Sequence, residues 1–165
     1  MLASSCSKYK YETVAGDPLK TRIYTLPNGL KVYMSVMKEQ PRIQTAIAVK
    51  VGGKNDPAET TGLAHYFEHL MFKGTQQFGT ADYAAEKPML DQIESLFEVY
   101  RKTSDEAERA AIYHRIDSIS YEASKIAIPN EYDKLMAAIG ANGTNAFTSQ
   151  DMTVYVEDIP SNEID

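Results

Sequence analysis

His65-Tyr66-Phe67-Glu68-His69 decides how this chain is read. The chain has three histidines, and two of them stand here, four apart, with a glutamate directly before the second. On a helix, residues i and i+4 share a face, with Cβ atoms roughly 5–6 Å apart. Two imidazoles so placed converge on one metal ion at zinc–nitrogen distances of about 2.0–2.1 Å. Glu68 borders the same face, placed to touch a water on the metal rather than the metal itself. The competing interpretation is an amphipathic helix with incidental histidines, its buried side made by Tyr66, Phe67, Leu70 and Met71. His114 stands alone in a charged helical stretch and is expected at the surface or half-buried.

The residue types suit one chemistry. Neutral imidazole is a good borderline ligand for zinc. Zinc lowers the pKa of a bound water to about 7. A carboxylate within hydrogen-bond reach takes that water's proton and later passes it to a leaving amine. The order H-x-x-E-H reverses the commoner H-E-x-x-H pattern of zinc peptidases.

Outward from the motif, the expected elements are these. Thr60 or Thr61 caps a helix near residues 61–72, and Lys73-Gly74 closes it. Upstream, residues 22–25 and 30–36 roughly alternate apolar and polar residues around Asn28-Gly29, a β-hairpin signal. Residues 43–51 read as a third strand ended by Gly52-Gly53. Downstream, residues 80–139 read as mostly helical, with Thr80 a candidate cap. Leu90, Ile93, Phe97 and Tyr100 form one apolar stripe, and Ile112, Ile116, Ile119, Ala123 and Ile126 a second. Thr103 with Glu106 reads as a capping box between two antiparallel helices. Pro129-Asn130 opens a shorter helix ending at Gly140. Residues 144–149 and 152–156 look like a returning hairpin, and Ile159-Pro160-Ser161-Asn162 like the approach to another helix.

Composition narrows the function classes. A hydrophobic fraction of 43% and a charged fraction of 24% are ordinary for a globular protein, and a net charge of −6 without a basic stripe disfavours a nucleic-acid partner. No apolar run approaches the roughly 20 residues that span a bilayer. The single cysteine, Cys6, excludes an intrachain disulfide. Leu2-Ala3-Ser4-Ser5-Cys6 looks like the small-residue end of a bacterial lipoprotein signal, with Cys6 the lipidated residue, although the apolar core of such a signal is missing. An ordinary cytoplasmic start is the alternative. Residues 1–20 read as a flexible tether.

Two separated motifs carry a family resemblance. Gly62-Leu63-Ala64 runs into His65–His69 and on through Leu70-Met71-Phe72-Lys73-Gly74-Thr75, and Asn145-Ala146-Phe147-Thr148-Ser149 precedes Thr153-Val154-Tyr155. Over roughly residues 21–165 the chain resembles the amino-terminal part of an insulinase-like (pitrilysin family) zinc peptidase. The resemblance implies that His65 and His69 bind zinc and that Glu68 is the general base. It also implies that Asn145, Ala146, Phe147 and Thr148 form a sheet edge to which a substrate peptide adds as a strand. The family's third zinc ligand is a glutamate on a later helix. No convincing match precedes Asp165, so that ligand is expected beyond it.

The expected fold is α+β: a mostly antiparallel sheet covered by helices, a pitrilysin/processing-peptidase-like half domain. Residues 21–165 would be a partial peptidase domain with an inserted helical pair at about 83–128. The parent would be a zinc endopeptidase acting on unfolded peptides, in a bacterial cell envelope, closed by a second peptidase half or a partner subunit. The 165-residue chain itself would have little activity. The rival expectations are a non-catalytic family member that binds peptides or supports a partner, and a structural metal site in an interaction module.

Overall fold

The computed structural model describes residues 9–164. Residues 1–8 of the expected tether, Cys6 among them, lie outside the described residues; the rest of that stretch is described and carries a short strand. The chain divides into two compact units, one ending at Pro41 and the other beginning at Arg42.

The first unit is a three-stranded antiparallel sheet in the order β1-β2-β3, with β1 at Tyr11–Glu12, β2 at Arg22–Thr25 and β3 at Lys31–Met34. The hairpin expected from Asn28-Gly29 is present, in the register Arg22↔Met34 to Thr25↔Lys31. Leu26 N–H donates to Leu30 O and Gly29 N–H to Leu26 O, both at 2.9 Å, which closes the loop. Gly29 takes φ +87°, which a side chain would resist. The two-residue β1 lies in the stretch that showed no strand periodicity; two residues are too few to display a period of two.

The second unit holds a separate three-stranded antiparallel sheet in the order β4-β6-β5, with β4 at Arg42–Val49, β5 at Asn145–Thr148 and β6 at Thr153–Pro160. The expected single sheet is therefore two. β6 runs through Pro160, so the helix approach expected near Ile159 is instead the end of a strand, paired from Val49↔Thr153 to Arg42↔Pro160. Pro160 is tolerated because it closes the strand rather than interrupting it. Arg42 Nε donates to Asp158 Oδ1 at 2.5 Å and Gln44 Nε2 to Asp158 Oδ2 at 3.2 Å, fastening this end of the ladder.

Helix α1 spans Leu63–Leu70, shorter than expected at both ends. Neither Thr60 nor Thr61 caps it. Its cap residue is Gly62 at φ +90°, and the carboxylate of Asp56 accepts from Gly62 N–H at 2.7 Å and Ala64 N–H at 2.9 Å. A carboxylate at a helix start satisfies orphan donors and complements the dipole. Before α1, the chain makes one 3-10 turn at Gly53–Asn55. Gly52 is pressed against the β5–β6 turn: a Cβ there would lie 2.3 Å from Ser149 O, while Gly53 N–H donates to that same oxygen at 2.9 Å.

Helices α2 (Tyr83–Lys102) and α3 (Glu106–Ser124) form the expected antiparallel pair. The start of one meets the end of the other, with Ala81 N–H donating to Ile126 O and Ile128 N–H to Gly79 O, both at 2.9 Å. The caps differ from expectation. Asp82 caps α2 through Ala85 N–H and Asp105 caps α3 through Glu108 N–H. Thr103 instead ends α2, its hydroxyl donating to Val99 O, and Thr80 pairs as an isolated bridge with Ala127. The α3 stripe is the expected one, with Ile116 and Ala123 buried. On α2 the inward line is Met89, Ile93, Leu96 and Tyr100; Leu90 and Phe97 are exposed. Apolar residues on both sides of that line made the helix's rotation ambiguous. Helix α4 spans Glu131–Ala138 after Asn130, as expected.

Candidate metal centre and strand edge

The α1 face that packs inward is Ala64, Glu68 and, just past the helix, Phe72, a spacing of i, i+4, i+8. Tyr66, Phe67, Leu70 and Met71 are all exposed, so they do not form the buried side expected of them in the amphipathic alternative. The histidines point away from the packed face. His65 Nε2 and His69 Nε2 lie 3.1 Å apart, with ring centroids 4.7 Å apart. Two nitrogens on one tetrahedral zinc at about 2.0–2.1 Å would stand about 3.3 Å apart, so the pair is already close to ligand geometry. As donor chemistry, the pair fits zinc. Among the described residues no third His, Cys, Asp or Glu joins it.

Glu68 is only 6% exposed, a burial that a carboxylate tolerates only when hydrogen-bonded. Thr148 of β5 supplies the bond, its hydroxyl donating to Glu68 Oε2 at 2.5 Å. Behind it, Thr153 lies 3.3 Å from Thr148, oxygen to oxygen, and donates to Val51 O at 3.0 Å. Tyr155, two residues along β6, has its phenol pKa raised by burial and then by the negative charge of Glu68. Its ring also meets Phe72, with centroids 6.1 Å apart.

Among the described residues of the second unit, β5 pairs only with β6, so its other side is a free sheet edge of that unit. Ala146 and Thr148 are half-buried, while Asn145 and Phe147 are exposed. The structure thus brings β5 beside α1, joining two motifs that lie about 80 residues apart through the Thr148–Glu68 bond. His114 is exposed and takes no part. Sequence reading gave no role to Asp56, nor to Thr153 and Tyr155, which it quoted only as part of the second motif. Only Asp56 carried a usable local signal, as an acidic residue just ahead of a helix.

The sequence profile of the insulinase family, peptidase family M16, matches residues 31–90, which include the whole of α1. Protease 3 of Escherichia coli is 28% identical over 131 residues, a match covering 78% of this chain and 12% of that protein. The beta subunit of the mitochondrial-processing peptidase of Saccharomyces cerevisiae is 31% identical over 81 residues, 46% of this chain and 18% of that one. An insulin-degrading enzyme homolog of Dictyostelium discoideum is 34% identical over 62 residues, covering 38% and 6%. Over residues 31–90 the chain is similar to the insulinase-like M16 peptidase family, and the relatives named Protease 3 match it over longer stretches at lower identity. Its matches span less than a fifth of the length of these relatives.

Proposed function

We propose that this chain carries the metal helix and the substrate edge of a zinc endopeptidase that acts on unfolded peptides. The observation that supports it most is the Nε2 pair 3.1 Å apart, with the buried Glu68 on the adjoining helix face. His65 and His69 hold zinc as neutral imidazoles. When bound, zinc supplies Lewis acidity and a nucleophilic water at neutral pH. Glu68 takes a proton on its carboxylate and returns it to the leaving amine. The free edge of β5, Asn145 to Thr148, pairs with the peptide main chain and so orients it with little regard to side chains. A third donor and a second half or partner subunit come from outside residues 9–164. Alone, the 165-residue chain turns over little or no peptide, because well-oriented groups supply roughly 7–11 kcal/mol of a barrier and two ligands orient poorly.

Metal analysis tests the assignment. Wild type and Glu68→Gln are expected to retain zinc that His65→Ala and His69→Ala lose; equal zinc in wild type and His65→Ala overturns it and leaves a non-catalytic, peptide-binding role. A quenched fluorescent peptide with added zinc tests the inactivity of the isolated chain: cleavage that Glu68→Gln abolishes would refute it. We further propose a bacterial envelope location through lipid at Cys6, on the strength of Leu2-Ala3-Ser4-Ser5-Cys6. Labelled palmitate should enter the wild-type precursor and not Cys6→Ser.

A further inference from the structure

We propose that Thr148 is the positioning residue for Glu68, so that the strand offering the free edge also sets the direction of the base. The inference rests on the reading of Glu68 as the base.

The hydroxyl protons assign the direction of the bond. Each threonine has one proton to give. Thr153 gives its proton to Val51 O at 3.0 Å, so its 3.3 Å approach to Thr148 supplies Thr148 with no donor. The proton of Thr148 goes to Glu68 Oε2 at 2.5 Å. Bonds to charged acceptors are the short, strong ones, and this one lies where water is nearly excluded, with Glu68 6% and Thr153 5% exposed. The bond at Oε2 fixes the carboxylate's rotation, and Oε1 would be the oxygen left to act as the base. Thr148 is itself held by β5–β6 pairing at Thr148↔Thr153. The base is thereby referenced to the sheet rather than to α1 alone. A peptide added at the edge and the carboxylate that serves it share one residue.

The test needs neither zinc nor turnover. The full chain is labelled with carbon-13 at glutamate Cδ, and the Glu68 resonance is assigned by its loss in Glu68→Gln. Thr148→Val keeps the branched shape that strands favour and removes the hydroxyl; Thr148→Ser keeps the hydroxyl. The Glu68 resonance is expected to move in Thr148→Val and to return in Thr148→Ser. In urea unfolding, Thr148→Val should lower the folding equilibrium constant roughly tenfold with Glu68 present, and much less in a Glu68→Met background. If Thr148→Val does not fold, Thr148→Ala takes its place with the same readouts. An unmoved Glu68 resonance, or equal losses in the two backgrounds, overturns the proposal. Failure of the zinc assignment shows separately, as zinc retained by His65→Ala.

Discussion

At Tyr132 one phenol joins three elements. Its hydroxyl donates to Glu157 on β6, its ring meets Phe72 beyond α1 with centroids 5.5 Å apart, and Thr144 donates to the other oxygen of Glu157 at 2.6 Å. Burial first, then the bond to Glu157 and its charge, push the Tyr132 pKa from 10.0 up to about 12. The fold therefore favours the neutral phenol. Its contribution is fully present below pH 10 and is lost as pH rises from 10 to about 12. Alkaline unfolding of wild type should steepen across that window, and Tyr132→Phe should flatten it. Asp158 has the opposite sign. Its bonds from Arg42, then Gln44, hold its carboxyl below 3.8, so its contribution is present above that value and fades as pH falls further. Asp158→Asn should lose this acid-side dependence in pH-dependent urea midpoints. At this scale the histidine pair was legible, since four residues of helix suffice to set it. The partner of Glu68 was not, because Thr148 is 80 residues away.

Among the elements, α2 and α3 meet along one seam, buried on the α3 side and half-buried on the α2 side. Ile116 is 4% exposed, so Ile116→Ala should cost about 2–5 kcal/mol in denaturant unfolding. Leu90, 41% exposed, belongs to the stripe expected from spacing but not to the seam, and Leu90→Ala should cost well under half as much. Equal losses would place Leu90 inside. Helix α1 depends on Asp56 for its first donors, and Asp56→Ala should cost about 1 kcal/mol. Gly52→Ala forces a Cβ against Ser149 O and should cost about 1–3 kcal/mol, read as a lower urea midpoint. Helix existence was legible from the 3.6-residue period. The capping residues were not, since several Thr and Asp residues stand near each helix start and packing selects among them.

For the molecule as a whole, zinc should act as a folding ligand. A ligand at 100 times its dissociation constant stabilises by about 2.7 kcal/mol. Added zinc should therefore raise the melting temperature of wild type and leave His65→Ala and His69→Ala unchanged; an equal rise in the variants would place the metal elsewhere. No helix among the described residues is long and apolar enough to cross a membrane.

By itself the sequence determined the α+β class, the helix that bears His65, Glu68 and His69, the hairpins and the helical pair. Each of these is written in contacts a few residues apart, where spacing alone says which side chains share a face. Only the tertiary structure decided that β1–β3 and β4–β6 form separate sheets, that α2 turns Met89 and Leu96 rather than Leu90 and Phe97 inward, and that β5 delivers Thr148 to Glu68. Those outcomes depend on how distant elements pack, and many pairings satisfy the same local pattern until burial and hydrogen bonding select one.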